Sequence, residues 1–231
     1  MTRGGTHLDS ASPSTPAPSS LRQGATVLFG TAAVLIAPHL GVPMFLYPWL
    51  GLGLCAAMLR LQRLRFADTG FRWRGFRAIP LLIGVALGLA YAAINFQLIG
   101  PLLARVLGER PDLSDFAFVR THLSGYVLAL VLAWVIGGFY EELVFRGFLH
   151  TMLMRHLPSV PTRPAWAVAL TALAFAAYHL QFGAFGVANA LVFALFAAAV
   201  RQRWPRNLWV VISFHACADM TAFTLMRWGY L

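Results

Sequence analysis

Six ionisable residues of this 231-residue chain lie inside runs of apolar side chains. Glu141, Glu142 and Arg146 fall in GGFYEELVFRGFLH, His179 in FAAYHL, and His215 and Asp219 in ISFHACAD. An ionised group at the centre of a membrane helix costs roughly 2.5 to 3.5 kcal/mol on insertion scales, so each needs a partner or a function. The spacings supply partners. Glu142 and Arg146 are four residues apart and face one another on a helix, as do Phe175 with His179 and His215 with Asp219. Glu141 is turned about 100° from Glu142 and is free to face another segment. With Glu142 neutralised by Arg146, Glu141 suits a general base, one histidine orienting a water and the other donating to an oxyanion. Two other roles use the same residue types: polar cross-links between membrane helices, and the proton relay of a transporter. No internal repeat of the kind many transporters carry is visible. Cys217 lies between His215 and Asp219 but points away from both on a helix, and it and Cys55 read as packing residues, not as metal ligands or a disulfide framework.

These residues must be positioned by membrane helices. The chain is 59% hydrophobic and 11% charged, with a mean hydropathy of +0.68, which predicts an all-α, polytopic transmembrane helical bundle. Apolar segments fall at about 25–42, 43–61, 78–100, 126–148, 165–182, 184–200 and 208–226, giving about seven spans, or eight with a re-entrant or interfacial helix. The fourth must continue to about Arg155, which snorkels to the interface, for Glu141 to reach the depth of His179. Three regions are expected: a Ser/Pro-rich disordered tail over 1–22, transmembrane helices and loops over 23–124, and a core over 125–231 that carries the ionisable set.

All 18 basic residues are arginine. Thirteen fall in the tail, the 60–77 loop, the 150–164 loop and the 201–206 turn, against Arg105, Arg110, Arg120 and Arg227 on the other side. This asymmetry predicts a multi-pass cell-membrane protein with a cytoplasmic N-terminus, and it accounts for the net charge of +10 without nucleic acid as a partner. The 60–77 loop adds Phe66, Phe71, Trp73 and Phe76, which read as interfacial aromatics, while the mixed-charge stretch 101–124 reads as an external, partly helical lid or spacer.

The motifs resemble those of the CPBP family, the CAAX protease and bacteriocin-processing or Abi family of intramembrane endopeptidases, which includes the Ras-converting prenyl protease. Its EExxxR motif matches Glu141, Glu142 and Arg146; its FxxxH motif matches Phe175 and His179; its last motif, His followed four residues later by Asn or Asp, matches His215 and Asp219. The resemblance implies an endopeptidase acting on membrane-associated or C-terminal peptide substrates. In it, Glu141 with His179 would activate water and His215 with residue 219 would stabilise the oxyanion. The prenyl proteases carry Asn where this chain has Asp219, and an ionised Asp cannot donate, so Asp219 would act protonated or would orient His215. No HExxH helix occurs, which favours a glutamate-dependent, metal-free reaction; Zn2+ held by His179, His215 and a carboxylate is the alternative. The expected partners are a peptide or protein substrate, reached from the cytoplasmic side or the membrane, and the lipid bilayer. A transporter, or a non-catalytic maturation or immunity factor with the same fold, is the rival.

Overall fold

Apolar segments in lipid must satisfy their own backbone hydrogen bonds, which a helix does within one segment. The computed structural model describes residues 21–43 and 46–231, and among the described residues no strand forms. The tail expected over 1–22 lies outside them except for Leu21 and Arg22, which begin the first helix. The helices are α1 (Leu21–Ile36), α2 (Tyr47–Leu61), α3 (Ala78–Leu107), α4 (Leu123–His156), α5 (Arg163–Tyr178), α6 (Gly183–Arg203) and α7 (Trp209–Arg227). Each expected apolar segment is thus helical, and the fold is an all-α membrane bundle. Among the described residues, four helices are by length and composition able to cross a membrane: α3, α4, α7 and the run Leu180–Arg203 that contains α6. The helices α1, α2 and α5 have 16, 15 and 16 residues. At 1.5 Å per residue they are shorter than the roughly 30 Å hydrocarbon core.

The helix lengths decide where the ionisable set lies. α4 runs unbroken to His156, so Glu141 is carried deep into the bundle, as a meeting with His179 requires. α3 does not stop near Gly100 but continues to Leu107, so the stretch 101–124 is a loop only from Gly108, where a left-handed backbone ends the helix. The sequence pattern places the start of the loop at Pro101 instead. Pro101 has no N–H to donate, and the turn before it, Asn95–Ile99, is π-helical, which lets the helix absorb the proline. The stretch also forms a short helix, Ala117–Thr121.

α7 packs against α3 and α4 at the centre of the bundle, and every residue from Trp209 to Ala218 is buried. Small residues make this approach possible. On α3, GVALG places Gly84 and Gly88 one turn apart; a Cβ on Gly84 would collide with Ser213 Oγ and Val210 O, and one on Gly88 would lie 2.5 Å from Phe214 O. The arginine-rich segment caps the N-terminal end of α7. Trp209 meets the rings of Phe71, Trp73 and Phe76 at 5.3, 5.6 and 4.7 Å, and donates from Nε1 to Arg72 O at 3.0 Å. Arg201 ties the same end together, donating to Thr69 O at 2.9 Å and to Arg146 O at 3.3 Å. Trp73 and Phe76 remain largely exposed on their other faces, as interfacial aromatics would be.

Gly88→Leu is expected to lower stability by about 1–3 kcal/mol, because the side chain meets backbone that cannot retreat. Gly53→Ala, where a Cβ within α2 meets open space, should instead leave stability unchanged or raise it by up to about 1 kcal/mol. Thermal unfolding of both variants in detergent checks the difference.

Candidate active site

Glu141 and Glu142 lie where α4 leaves α-helical geometry. Ala133–Glu141 and Leu143–Leu149 are π-helical, a form with i→i+5 hydrogen bonds that is rare and clusters at functional sites. The expectation of about 100° between the two glutamates rests on α geometry, which this part of α4 does not keep. The i, i+4 contact survives: Arg146 Nη1 donates to Glu142 Oε1 at 2.9 Å, with Glu142 fully buried and Arg146 2% exposed. Arg146 also donates from Nη2 to Ala194 O at 3.4 Å and stacks over the Phe175 ring at 4.4 Å.

Glu142 has a second partner that the sequence spacing does not reveal. His215 Nδ1 lies 2.7 Å from the same Oε1 atom. The carboxylate therefore joins Arg146 of α4 to His215 of α7, 73 residues further along. Its only trace in the sequence is the Gly137–Gly138 pair ahead of the glutamates, which lets α7 come close: a Cβ on Gly138 would lie 2.8 Å from Ile212 O. With Nδ1 donating to Glu142, the other ring nitrogen of His215 faces the remaining acids. Nε2 lies 3.4 Å from Asp219 Oδ2 and 3.9 Å from Glu141 Oε2.

His179 ends α5, and its Nδ1 is 2.8 Å from Phe175 O. A carbonyl only accepts, so Nδ1 carries the proton and Nε2 of the neutral ring is left with its lone pair. His179 does not bond Glu141 directly; its ring packs at a tilt against Phe175 at 4.5 Å, and Phe175 lies against His215 at 5.9 Å. Phe175 is thus the shared wall between Arg146, His179 and His215.

Glu141, His179, His215 and Asp219 all line one cavity of about 680 Å³. Residues that sequence reasoning did not select line it too, among them Tyr47 of α2, Tyr91 and Asn95 of α3, and Asn189 of α6. The asparagines carried a signal, an amide within an apolar span, that a search for ionisable groups passes over. Among the described residues no three His, Cys, Asp or Glu side chains are grouped as a metal site.

Residues 123–221 match one family model, Type II CAAX prenyl endopeptidase Rce1-like. Over these residues the chain is similar to that family's domain. No curated protein and no solved structure matches the chain. The Rce1-like match agrees with the CPBP resemblance and spans Glu141, Glu142, Arg146, Phe175, His179, His215 and Asp219. The Rce1-like family is one of proteases, which gives the cavity a peptide-bond chemistry to be read against. Tyr47, Tyr91 and Asn95 lie outside the matched residues and still line the cavity.

Arg146→Met leaves the buried Glu142 carboxylate with His215 as its one remaining side-chain partner among the described residues. The loss is expected to reach about 3–5 kcal/mol, and adding Glu142→Leu should recover part of it because the stranded charge is gone. Unfolding of the single and double variants in detergent measures the coupling.

Proposed function

We propose that the protein is an intramembrane endopeptidase in which Glu141 is the general base. A water held by Glu141 and by the lone pair of His179 Nε2 attacks the scissile carbonyl carbon as its proton passes to Glu141. His215, held through Nδ1 by Glu142, donates from Nε2 to the oxygen that becomes negative. Nε2 donates in this way while the ring is doubly protonated. Asp219 Oδ2, 3.4 Å from that nitrogen, orients the ring, so an Asp serves here without donating to the oxyanion itself. Collapse of the tetrahedral intermediate breaks the C–N bond, and the proton on Glu141 goes to the leaving amine. The observation that carries this reading is the convergence of Glu141, His179 and His215 on one cavity in a chain similar to the Rce1-like family over residues 123–221. The reaction so written needs no metal.

The orientation in the membrane belongs to the same proposal. The cavity runs from the ionisable set towards Ala104, Arg110, Gln181 and Leu231, the ends of the helices opposite the arginine-rich segment. If that segment is cytoplasmic, as its arginines argue, the N-terminus is cytoplasmic and the cavity opens on the other side of the membrane. This revises the access expected from the sequence, in which substrate arrives from the cytoplasm or from within the membrane.

Purified protein is expected to cleave members of a peptide library, and Glu141→Gln to remove that activity while the protein still folds, because the amide keeps the volume and cannot accept water's proton. His179→Ala and His215→Ala should also inactivate, by about 100-fold or more for loss of a proton-transfer or oxyanion group. Chelators should leave the rate unchanged. Wild-type rates in Glu141→Gln would sink the assignment, and loss on chelation with recovery on adding zinc would replace it by a metal-bound nucleophile. A cysteine at position 112 should react with a membrane-impermeant thiol reagent on intact cells, whereas one at position 74 should not. The reverse pattern would invert the orientation.

A further inference from the structure

The arginine-rich segment between α2 and α3 carries more charge than the protein itself answers. Arg65, Arg72, Arg74 and Arg77 are exposed, as are Arg203 and Arg206 at and just after the end of α6. Asp68 is the one acid in either stretch, and it accepts from the backbone N–H of Arg65. Among the described residues no carboxylate forms an ion pair with any of these six arginines. Hydrogen bonds fasten the two stretches together. Leu208 N–H donates to Gly70 O at 3.1 Å, and Asn207 Nδ2 donates to Gly75 O at 3.2 Å. Arg74 and Arg206 are the chain neighbours of the two residues that the second bond joins, so two exposed cations from distant parts of the chain share one patch. Like charges held in one patch repel, and an anion between them relieves the repulsion.

Two further features say which anion. Trp73 and Phe76 alternate with the arginines and are 70% and 56% exposed, although each ring also meets Trp209. Exposed aromatic rings at the end of a membrane helix lie at headgroup depth, where guanidiniums beside them reach lipid phosphates. Just after Arg77, α3 turns Ile79, Leu82 and Leu89 outwards, on the side away from Gly84 and Gly88, which meet α7. A soluble polyanion would use the cations alone, whereas a phospholipid also uses the rings and the apolar lane below them.

We infer that this patch binds an anionic phospholipid, its phosphate between Arg74 and Arg206 and an acyl chain along Ile79 and Leu82. The site depends neither on which leaflet it faces nor on the chemistry of the cavity. Because the same segment caps α7 through the bond from Trp209 to Arg72 O, bound lipid also stabilises the start of the helix that carries His215.

The test titrates full-length protein in a neutral detergent with phosphatidylglycerol or phosphatidylcholine and counts bound lipid by native mass spectrometry. Phosphatidylglycerol is expected to bind more tightly. Arg74→Gln and Arg206→Gln should each weaken it by about fivefold, the worth of one arginine near an anionic headgroup, and leave phosphatidylcholine unchanged. Arg105→Gln removes an equal charge from an exposed position at the other end of α3 and should alter neither lipid. The two lipids are compared on the same variant, so a folding defect, which would lower both, cannot imitate the loss of one. Equal binding of the two lipids, or unchanged affinity in both Arg74→Gln and Arg206→Gln, overturns the site. An equal loss in Arg105→Gln overturns it too, by reducing the effect to net charge. Glycerophosphoglycerol, which has the headgroup without the chains, and inorganic phosphate should not displace the lipid at the same concentration; displacement by either overturns the lipid as occupant. Phosphatidylglycerol should raise the unfolding temperature of the wild type and raise that of Arg74→Gln less, and no rise in the wild type overturns the link to α7.

Discussion

A guanidinium buried between membrane helices has to be answered by a carboxylate, and the arrangement of this bundle follows from how Arg146 is answered. Glu142 lies one turn before it and takes its charge. The carboxylate then still has accepting capacity, and His215 uses it, so the ion pair of one helix becomes the clamp that sets the rotation of another. Phe175 lies under the guanidinium and packs against His179, which extends the same constraint to α5. Arg146 and Glu142 therefore touch no part of the cavity directly and yet fix three of its walls. The desolvation of these charges is offset by their mutual contacts.

The contact between α4 and α7 depends equally on what is missing from it. Gly137 lies beside His215 and Asp219, and a Cβ there would collide with Asp219 Oδ2 and lie 3.3 Å from His215 Nε2. Gly138 gives way to the backbone of α7, and Gly84 and Gly88 do the same from α3. In lipid, where apolar side chains gain little by meeting one another, such close backbone approach is what makes helices associate. The small residues hold α7 at the distance where a 2.7 Å hydrogen bond from His215 to Glu142 forms.

Much of this is legible in the sequence because its period is local. The helical fold, the pairs Glu142–Arg146 and His215–Asp219, and the extension of α4 past Phe148 all follow from spacing along one helix and from the length of chain that spans a bilayer. What is not legible depends on neighbours. The bond between Glu142 and His215 needs the crossing of α4 and α7, the π-helical run changes angles that an ideal helix would predict, and Pro101 does not end α3 because the turn before it widens. The side of the cavity mouth escapes the sequence for the same reason: it is set by where the loops between helices leave room, which no single motif encodes.

Beneath the cavity lie Phe145 and Phe148, both fully buried, and below them Arg201 closes α4 against the arginine-rich segment through the carbonyls of Arg146 and Thr69. The chamber is therefore closed at that end. If a chain is cut there as proposed, the fragment lying against the closed end has the longer way out. Release of that innermost piece would then be the step that paces turnover. A short innermost fragment, with little apolar surface against the walls, would turn over faster than a long one, so the length of chain beyond the bond becomes a determinant of rate independent of its sequence.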